Sequence, residues 1–591
     1  MADSASAASV APVEFNGSKR TAETPLRSEE GSRGSYRFKT KRMKKGEKHA
    51  GPTDPLLKTV GSNEEVLLLD VQSLLKKLSL GRAPKTEVSA NGEADQNQKS
   101  ALPERLAEIE VQVKEISSTG DGLAVSENGD HVYVVPFTAP GDKVTAKVYK
   151  HNEKERYSLA DLVKVNEDGP HRNQSLVKCP YFATCSGCQF QMLPYDFQLK
   201  HKKSIVEKAY KNFSNLDPAL LPPVADTMGS PLQYGYRTKL TPHFDGPPDS
   251  RRSDGKHGIK RSFREVPDIG FMKKGTRLTI DIEDCPIGTE AVRRGMKRER
   301  KRVADELSNY HRGATLLLRE TTKKIPKGSK MGEIDEYTIV EEQEDGAKLL
   351  KSCITNANEK STEYISNFQF VNPAGAFFQN NNSILVPFTD YIRKHILPPA
   401  GSPGPKISYL IDAYSGSGLF TITLSDLFQS SLGIDIAASS IESATHNAEL
   451  NGLPPSQAKF IAADAAKLFS SITSPAEETV VMIDPPRKGC DESFLRQLVG
   501  YGPARIVYVS CNVHTQARDV GVLVGGLKGV DGGCGVGVGC YEVESLRGFD
   551  FFPQTGHVEG VAVLKRRADA EEAGKVSGNE VRVEGGRKVD E

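Results

Sequence analysis

The period of the hydrophobic positions changes several times along the chain. From Asn63 to Leu80 the apolar residues recur at helical spacing, which predicts one amphipathic helix. Between residues 104 and 167 the apolar residues instead alternate in short β-branched runs, separated by the turn sequences TGDG, ENGD and PGDK. This alternation predicts a small five-stranded β-barrel, a fold that often binds oligonucleotides but also serves as a spacer.

Strand-like and helix-like segments alternate between residues 371 and 566. The apolar runs ISYLIDAYSG, SLGIDI, TVVMIDPP and RIVYVSCN each end in a turn, with helical stretches between them. This order predicts an α/β fold built on a doubly wound parallel sheet. Residues 168–370 mix strands with polar inserts and predict a central α+β domain. Residues 1–103, apart from the one helix, and residues 567–591 have the composition of disordered tails and linkers.

Charge and composition narrow the classes of function. A chain of 591 residues is long enough for about three domains, and its net charge of +1 argues against binding nucleic acid with the whole surface. Two local runs, 37–48 and 293–302, each hold seven Lys or Arg and one Glu. Such runs either grip phosphate or form solvated helix faces and flexible tails.

The sequence also bears on location. No apolar run is long enough to span a membrane, and the N-terminal segment lacks the apolar core of a secretory signal. We therefore expect a cytosolic or nuclear protein, with a mitochondrial pool left open. Nine cysteines in a chain of this size fit metal or catalytic use better than a disulfide framework.

A ligand site is predicted at the carboxyl edge of the parallel sheet. Gly416 and Gly418 follow the first strand in DAYSGSG, and Asp435, Asp464 and Asp484 end the next three strands. A carboxylate at the end of the second strand can accept hydrogen bonds from ribose hydroxyls. Because the turn lacks the G-x-G-x-x-G spacing, S-adenosylmethionine fits better than NAD. The alternative is that these acids cap the helices that follow.

A cysteine and a carboxylate near the same edge suggest chemistry on a pyrimidine. A thiolate that adds to C6 of uracil makes C5 nucleophilic, and a base must remove the C5 proton after alkylation so that the thiolate can leave. Cys511 follows the strand VYVS, and Glu559 precedes the last strand. Cys511 could instead be a core residue and Glu559 a solvated acid, and His557 is a second candidate base.

These motifs resemble the RNA 5-methyluridine methyltransferases, and more narrowly the eukaryotic enzymes that modify the T-loop uridine of tRNA. The family order FFQ-N, DxYxGxG, DPPR-G, SCN with a following RD, and FPQT-HVE is present here from Phe377 to Glu559. The resemblance covers residues 105–566. It implies a Rossmann-like class I methyltransferase domain, a TRAM domain for the barrel, a tRNA T-arm as partner and a monomeric enzyme.

The resemblance also implies roles for individual residues. Cys511 is the nucleophile and Glu559 the base. Four residues contact S-adenosylmethionine or the reacting base: Gln379, Tyr414, Asp435 and Asp484. Asp435 departs from the family, which usually has the longer Glu at this position.

Four cysteines are similar to the four-thiolate iron–sulfur site of the family. They are Cys179, Cys185, Cys188 and Cys285. The resemblance implies a [4Fe–4S] cluster that holds an RNA-binding domain in shape. Zinc or a set of reduced structural cysteines are the alternatives, because thiolates alone suit either metal.

Rival functions make different sequence predictions. Amino-group methyltransferases carry an aromatic residue after Asp-Pro-Pro, and RNA 5-methylcytosine enzymes place a cysteine after proline in that loop. Here Arg487 follows, and Cys511 lies one strand later. Methylation of a uridine in ribosomal RNA and a non-catalytic role in tRNA binding or folding remain as alternatives.

Overall fold

A computed structural model describes residues 60–80, 102–126, 129–247, 262–463, 469, 472–527, 529 and 538–567. The basic run at 37–48, Asp464 and the tail after residue 567 lie outside the described residues. So do residues 1–59 and 81–101 of the predicted N-terminal tail and linker.

The predicted N-terminal helix, α1, spans Asn63–Leu80. Val71, Leu74 and Leu75 of α1 pack on the outside of the barrel against Leu123 and neighbouring residues. Val66, near the start of α1, instead enters the core beneath the largest sheet. Because each such side chain contributes about 1.5–3 kcal/mol when buried, α1 is a firm connection between the barrel and the rest of the protein.

The predicted β-barrel is confirmed. Its five strands are β1 (Glu108–Ile116), β2 (Gly122–Val125), β3 (Val132–Val135), β4 (Lys143–Asn152) and β5 (Tyr157–Glu167). They close in the order β1-β2-β3-β5-β4. Alternate residues of β4, namely Val144, Ala146 and Val148, fill the interior, as the period of two requires.

Two four-stranded sheets, a hairpin and helix α3 (Glu290–Asp305) form most of the central region. The strands of the first sheet are β8 (His243–Phe244), β9 (Gly270–Met272), β10 (Thr279–Asp281) and β11 (Ala314–Thr315). The strands of the second are β7 (Lys239–Leu240), β12 (Leu318–Ile325), β13 (Ile339–Glu342) and β14 (Lys348–Ile354). The hairpin strands are β15 (Lys360–Ile365) and β16 (Phe368–Pro373).

The basic run at 293–302 lies on α3, and its arginines are engaged inside the protein. Arg293 pairs with Asp284, Arg300 with Asp281, and Arg302 with Glu299. The guanidinium of Arg298 donates to the carbonyl of Cys353. Lys297 and Lys301 are exposed. Most arginines of this run therefore have partners within the central region, although each remains partly exposed to solvent.

An eight-stranded sheet forms the core of the C-terminal half. Its strands are β6 (Val224–Met228), β17 (Tyr409–Ala413), β18 (Ser430–Asp435), β19 (Ala458–Ala462), β20 (Thr479–Ile483), β21 (Arg505–Ser510), β22 (Tyr541–Phe549) and β23 (Glu559–Arg566). Their order is β19-β18-β17-β20-β21-β23-β22-β6. Strands β17 to β21 are parallel, whereas β23 runs antiparallel to both of its neighbours.

Helices cover both faces of this sheet. They are α2 (Tyr195–Phe213), α4 (Leu385–His395), α5 (Leu419–Thr423), α6 (Ala438–Leu450), α7 (Glu492–Tyr501) and α8 (Val513–Gly525). Helix α2 packs against α8 so closely that a Cβ at Gly521 would lie 2.0 Å from the carbonyl oxygen of Ser214. No helix in the described ranges has the length and apolar character needed to cross a bilayer.

The sheet also takes a strand from the segment that the sequence assigns to the central domain. Strand β6 pairs in parallel with β22, and α2 contributes Ile205, Val206 and Phe213 to the core beneath the sheet. Residues of α2 and β6 thus pack into the core of the large sheet, although the sequence assigns them to the central domain. The boundaries at 168 and 371 stay predictions.

Candidate active site

The direction of the strands brings the predicted nucleophile and base together. Cys511 follows parallel strand β21, and Glu559 is the first residue of reversed strand β23. Ser510 is the direct partner of Gly560 in this antiparallel pair. Cys511 directly follows Ser510, and Glu559 directly precedes Gly560, so the two residues lie at the same end of this strand pair. They are close enough for the charge of Glu559 to act on the Cys511 thiol.

The Cys511 thiol is surrounded by charged groups. Its pKa is raised to about 12, mainly by burial and also by the charges of Glu559 and Asp484, while the positive charge and a hydrogen bond of Arg487 oppose this shift. The Glu559 side chain is almost fully buried. Its burial and the neighbouring Asp484 raise its pKa well above the usual range, and Arg487 opposes this shift. Arg487 is therefore the cation that favours the charged forms of both residues.

The other candidate base, His557, has a different environment. It lines a cavity next to Phe552 and Thr555. Desolvation in this cavity and, less strongly, the charges of Arg487, Lys202 and Arg237 lower the pKa of His557 to about 4. A group with this pKa is a weak proton acceptor, so the low pKa of His557 favours Glu559 as the base.

The loop that carries Arg487 is fixed by residues after Cys511. The side chains of Asn512 and Thr515 donate to the Arg487 carbonyl over 3.0 and 3.1 Å. Arg518 donates to the carbonyls of Lys488 and Cys490, and the Cys490 amide donates to Asp519. The sequence identified Arg487 only as a residue that disfavours rival enzymes, although its place in DPPR next to Asp484 was a usable signal.

Beside this pair, the glycine turn after β17 encloses unsatisfied polar atoms. Asp412 is fully buried, and one of its oxygens accepts from the amide and hydroxyl of Thr421. Its other oxygen and the Ser415 hydroxyl have no partner among the described residues. A Cβ at Gly416 would meet no atom within 4 Å. Buried polar atoms facing open space are expected where a polar ligand binds, so these residues fit S-adenosylmethionine.

Asp435 and Tyr414 lie at the same turn. The Asp435 carboxylate accepts from the amides of Gly416 and Ala437 over 3.1 and 2.8 Å. The second of these bonds reaches the amide of the N-cap residue of α6, and no side chain that the structure describes caps the helix itself, so Asp435 does not have the helix-capping role that the sequence left as an alternative. Each oxygen retains a lone pair for a ribose hydroxyl. The Tyr414 backbone has a φ of +66°, and its ring packs on Phe494, with 5.3 Å between the ring centroids.

Three further residues bear on the candidate site. Ile436, directly after Asp435, is an apolar side chain that is 74% exposed. The sequence analysis did not predict this residue as part of the site. Gln379 is half-buried in the loop between β16 and α4, next to Phe377, which is 77% exposed. Asp484 is buried near Asp412; its burial, and then the charge of Asp412, raise its pKa to about 7.

The four predicted metal-binding cysteines line one cavity of about 360 Å³, which Arg487 and His557 also line. Burial and the neighbouring cysteines raise the pKa of Cys188 and of Cys285 to about 12. Within the part of the chain that the structure describes, no group of three or more His, Cys, Asp or Glu side chains is arranged to hold a metal ion. The thiols thus share a cavity without forming a closed coordination shell.

Comparison with known proteins agrees with this architecture. Residues 354–567 match the family model described as tRNA (Uracil-5-)-methyltransferase, and residues 104–163 match the TRAM domain. The chain is 43% identical to the tRNA (uracil(54)-C(5))-methyltransferase of Schizosaccharomyces pombe over 508 residues, which covers 86% of this chain and 84% of the relative. It is 40% identical to the protein of the same description from Saccharomyces cerevisiae, covering 85% and 81%.

A solved structure has a similar fold. The Pyrococcus abyssi tRNA (uracil-54, C5)-methyltransferase, crystallised with S-adenosyl-L-homocysteine, superimposes with a TM-score of 0.51. The alignment covers 77% of this chain and all of that one, at 21% identity. At this identity the likeness concerns the fold.

Proposed function

Because the chain belongs to the family of tRNA (uracil(54)-C(5))-methyltransferases, we propose that it methylates C5 of the T-loop uridine of tRNA, at position 54, through a covalent bond to Cys511. S-adenosyl-L-methionine is the methyl donor. The observation that carries the proposed mechanism is the antiparallel register of β21 and β23, which pairs Ser510 with Gly560 and so brings the adjoining residues Cys511 and Glu559 to the same end of the strand pair.

The first step is the addition of Cys511 to the uracil ring. The thiolate forms a bond to C6, and the electrons of the C5–C6 double bond move toward the C4 carbonyl oxygen as an enolate. Arg487 stabilises the thiolate through its hydrogen bond and charge. When bound, S-adenosyl-L-methionine supplies an electrophilic methyl group and a positive sulfonium charge. We assign the groups that hold it to Asp435, Asp484, Tyr414, Gln379 and the partly unsatisfied Asp412.

The last step is elimination, and Glu559 is the group that carries it. After methylation, C5 holds both the methyl group and a proton. Ionised Glu559 accepts that proton, the electrons of the C5–H bond restore the double bond, and the C6–S bond breaks to release the Cys511 thiolate. Burial next to Asp484 makes Glu559 a stronger base than an exposed carboxylate.

We also propose that Cys179, Cys185, Cys188 and Cys285 hold a [4Fe–4S] cluster. Four buried or half-buried thiols around one cavity are a suitable donor set. The Gly187 amide donates to the Cys185 sulfur over 3.4 Å, a contact of the kind that stabilises a sulfur ligand. The cluster would fix the segment 179–188 against the central region and take no part in methyl transfer.

Two variants test the proposed mechanism on a tRNA transcript, with nucleoside mass spectrometry as the assay. Cys511→Ala should abolish 5-methyluridine formation while tRNA affinity stays within about twofold, since the thiol acts in bond formation. Glu559→Gln should accumulate a protein–RNA adduct that survives denaturation, because addition proceeds and elimination stalls.

Turnover by the Cys511 variant would exclude covalent catalysis by this residue. Absence of an adduct with Glu559→Gln would assign the base elsewhere, with His557→Ala as the next variant to test. If the wild-type protein methylated a ribosomal RNA fragment but not tRNA, the proposed assignment of tRNA as the substrate would be wrong.

A further inference from the structure

The loop that carries the proposed base is held mostly by side chains from one distant segment. Residues 550–558 connect β22 to Glu559 at the start of β23. Within this loop Gln554 has a φ of +70°, a left-handed conformation that a non-glycine residue adopts only when its surroundings enforce it. The contacts to Gln554 itself come from residues 189–198, directly after the cysteine cluster and at the start of α2. Asn381 and Tyr236 also donate to the neighbouring carbonyls of Phe551 and Pro553.

Gln554 is bound through both its backbone and its side chain. The amides of Gln189 and Phe190 donate to its carbonyl over 2.7 and 3.0 Å. Its own amide donates to the side-chain oxygen of Gln198, and the Gln198 amide group donates back to the Gln554 side chain, each over 3.1 Å. Both glutamine side chains are buried, so no water replaces these bonds at low cost.

Gln189 connects this loop to the barrel. The Gly556 amide donates to the side-chain oxygen of Gln189 over 2.9 Å, and the Gln189 side-chain nitrogen donates to the Thr119 carbonyl in a barrel turn over 2.8 Å. The contact is tight, since a Cβ at Gly120, where φ is +90°, would lie 2.3 Å from that nitrogen. The Gln189 side chain thus contacts both the barrel and the base loop, and Gln189 directly follows Cys188 in the chain.

A third contact fixes the beginning of the loop. Buried Lys202 pairs with Asp550 and donates to the Phe552 carbonyl over 3.0 Å. The Tyr195 hydroxyl also donates to Asp550, over 2.9 Å. The loop is therefore fixed at its start, middle and end, and the last fixed point, Gly556, lies three residues before Glu559.

We propose that Gln189 and Gln554 are positioning residues for Glu559, which hold the base in line with the C5 proton and make its position depend on the barrel and the cysteine segment. This inference rests on the proposed function. A shift of about 1 Å in a catalytic group is enough to lower a rate by about a hundredfold. Loss of either glutamine should slow elimination more than the addition of Cys511, whose loop is held by other residues.

The experiment uses the full-length protein, a tRNA transcript and four variants. Gln189→Ala and Gln554→Ala should lower kcat about tenfold to a hundredfold with KM for tRNA within about twofold, and both should accumulate the denaturation-resistant adduct during turnover. Gln189→Glu keeps the acceptor for Gly556 and loses the donor to Thr119, so it should recover only part of the kcat.

Gln457→Ala is the control. It also removes a glutamine side chain that donates to a backbone carbonyl, but this carbonyl, of Ser425, lies outside the base loop and the cysteine segment. It should show no adduct. Gln189→Ala and Gln189→Glu keep the test valid if Gln554→Ala does not fold.

Lower kcat without adduct, or adduct with Gln457→Ala, would each overturn the inference. Its failure is distinguishable from failure of the proposed function. If Glu559→Gln traps the adduct and the glutamine variants do not, only the positioning role is wrong. If Glu559→Gln traps none, the proposed mechanism itself fails.

Discussion

The buried acids at the carboxyl edge of the sheet form a chain of like charges. Asp412 influences Asp484, and Asp484 influences Glu559 and Cys511. Burial and, less strongly, the charge of Asp435 raise the pKa of Asp412 to about 7, while its bonds to Thr421 oppose this. Burial therefore keeps Asp412 and Asp484 protonated over a pH range in which exposed carboxyls are ionised, whereas the neighbouring cation Arg487 favours the ionised form of Glu559.

This charge arrangement predicts a pH-dependent cofactor affinity. A sulfonium cation favours ionised carboxylates, which for Asp412 and Asp484 predominate above a pKa of about 7. The affinity for S-adenosylmethionine should therefore fall as the pH decreases from 8 to 6, by up to about tenfold per unit for each coupled proton. S-adenosylhomocysteine lacks the sulfonium charge and should show a smaller slope. Calorimetric titration of both ligands at several pH values measures this difference.

Two variants sharpen this measurement. Asp484→Asn should reduce the slope for S-adenosylmethionine, because one of the titrating groups is lost. Asp426→Asn is the control, since Asp426 pairs with Arg393 on the surface of the same half of the protein. Equal pH slopes for the two ligands would show that the acids do not respond to the sulfonium.

At the same scale, the sequence predicted the reacting residues but not their charge environment. Cys511 and Glu559 follow from motifs and from the demands of pyrimidine chemistry. The hydrogen bond from Arg487 to Cys511 depends on how the loop after β20 folds over the loop after β21, which no local pattern encodes. The arginines of α3 are a similar case, because their partners Asp281 and Asp284 become visible only once the helix is packed.

At the scale of elements, local patterns predicted best where the contacts are local. The bounds of α1 and the closed barrel agree with the apolar periods that predicted them. The pairing of β6 with β22 joins residues 224–228 to residues 546–549 and could not be read from either segment. The reversal of β23 is equally non-local, and it is the feature that places Glu559 at the ligand edge.

Helix α1 connects the barrel to the nucleophile loop. Asp70 of α1 is buried, accepts from the Ser118 amide of the barrel and pairs with Lys208 of α2 over 3.2 Å. At the start of the helix, the Gly61 carbonyl accepts from the side chain of Asn512, the residue after Cys511, over 3.4 Å. The helix thus contacts the barrel, α2 and the loop that carries the nucleophile.

Asp70→Ala should therefore destabilise the protein. It leaves the Ser118 amide and Lys208 without their buried acceptor, at an expected cost of about 1–3 kcal/mol. The midpoint of urea unfolding measures this loss. Glu64→Ala is the control, because Glu64 is exposed on the same helix and should change stability by no more than about 0.5 kcal/mol. Equal stability of the two variants would show that α1 is not a structural connection.

At the scale of the whole molecule, the cysteine cavity lies between the central region and the catalytic sheet. Its walls combine Cys179, Cys188 and Cys285 with Arg487 and His557. A cluster there would stabilise the segment that positions the base loop through Gln189. The spacing of the cysteines in the sequence indicated the four thiols. That their cavity is also lined by Arg487 and His557 of the candidate active site could be seen only in the folded structure.

The proposed cluster predicts a specific dependence on Cys188. Protein purified without oxygen should contain about four irons per chain and absorb near 400 nm, as expected for four-thiolate ligation. Cys188→Ser should lose iron, and it should also lower the thermal midpoint, because bound metal stabilises the folded state. Cys353→Ser is the control: this buried free cysteine lies on β14, outside the cavity, and should leave the iron content unchanged. Stoichiometric zinc in the wild-type protein would show that the site binds zinc and not a cluster. Metal-free protein with full activity and an unchanged thermal midpoint would show that the four cysteines only pack in the fold.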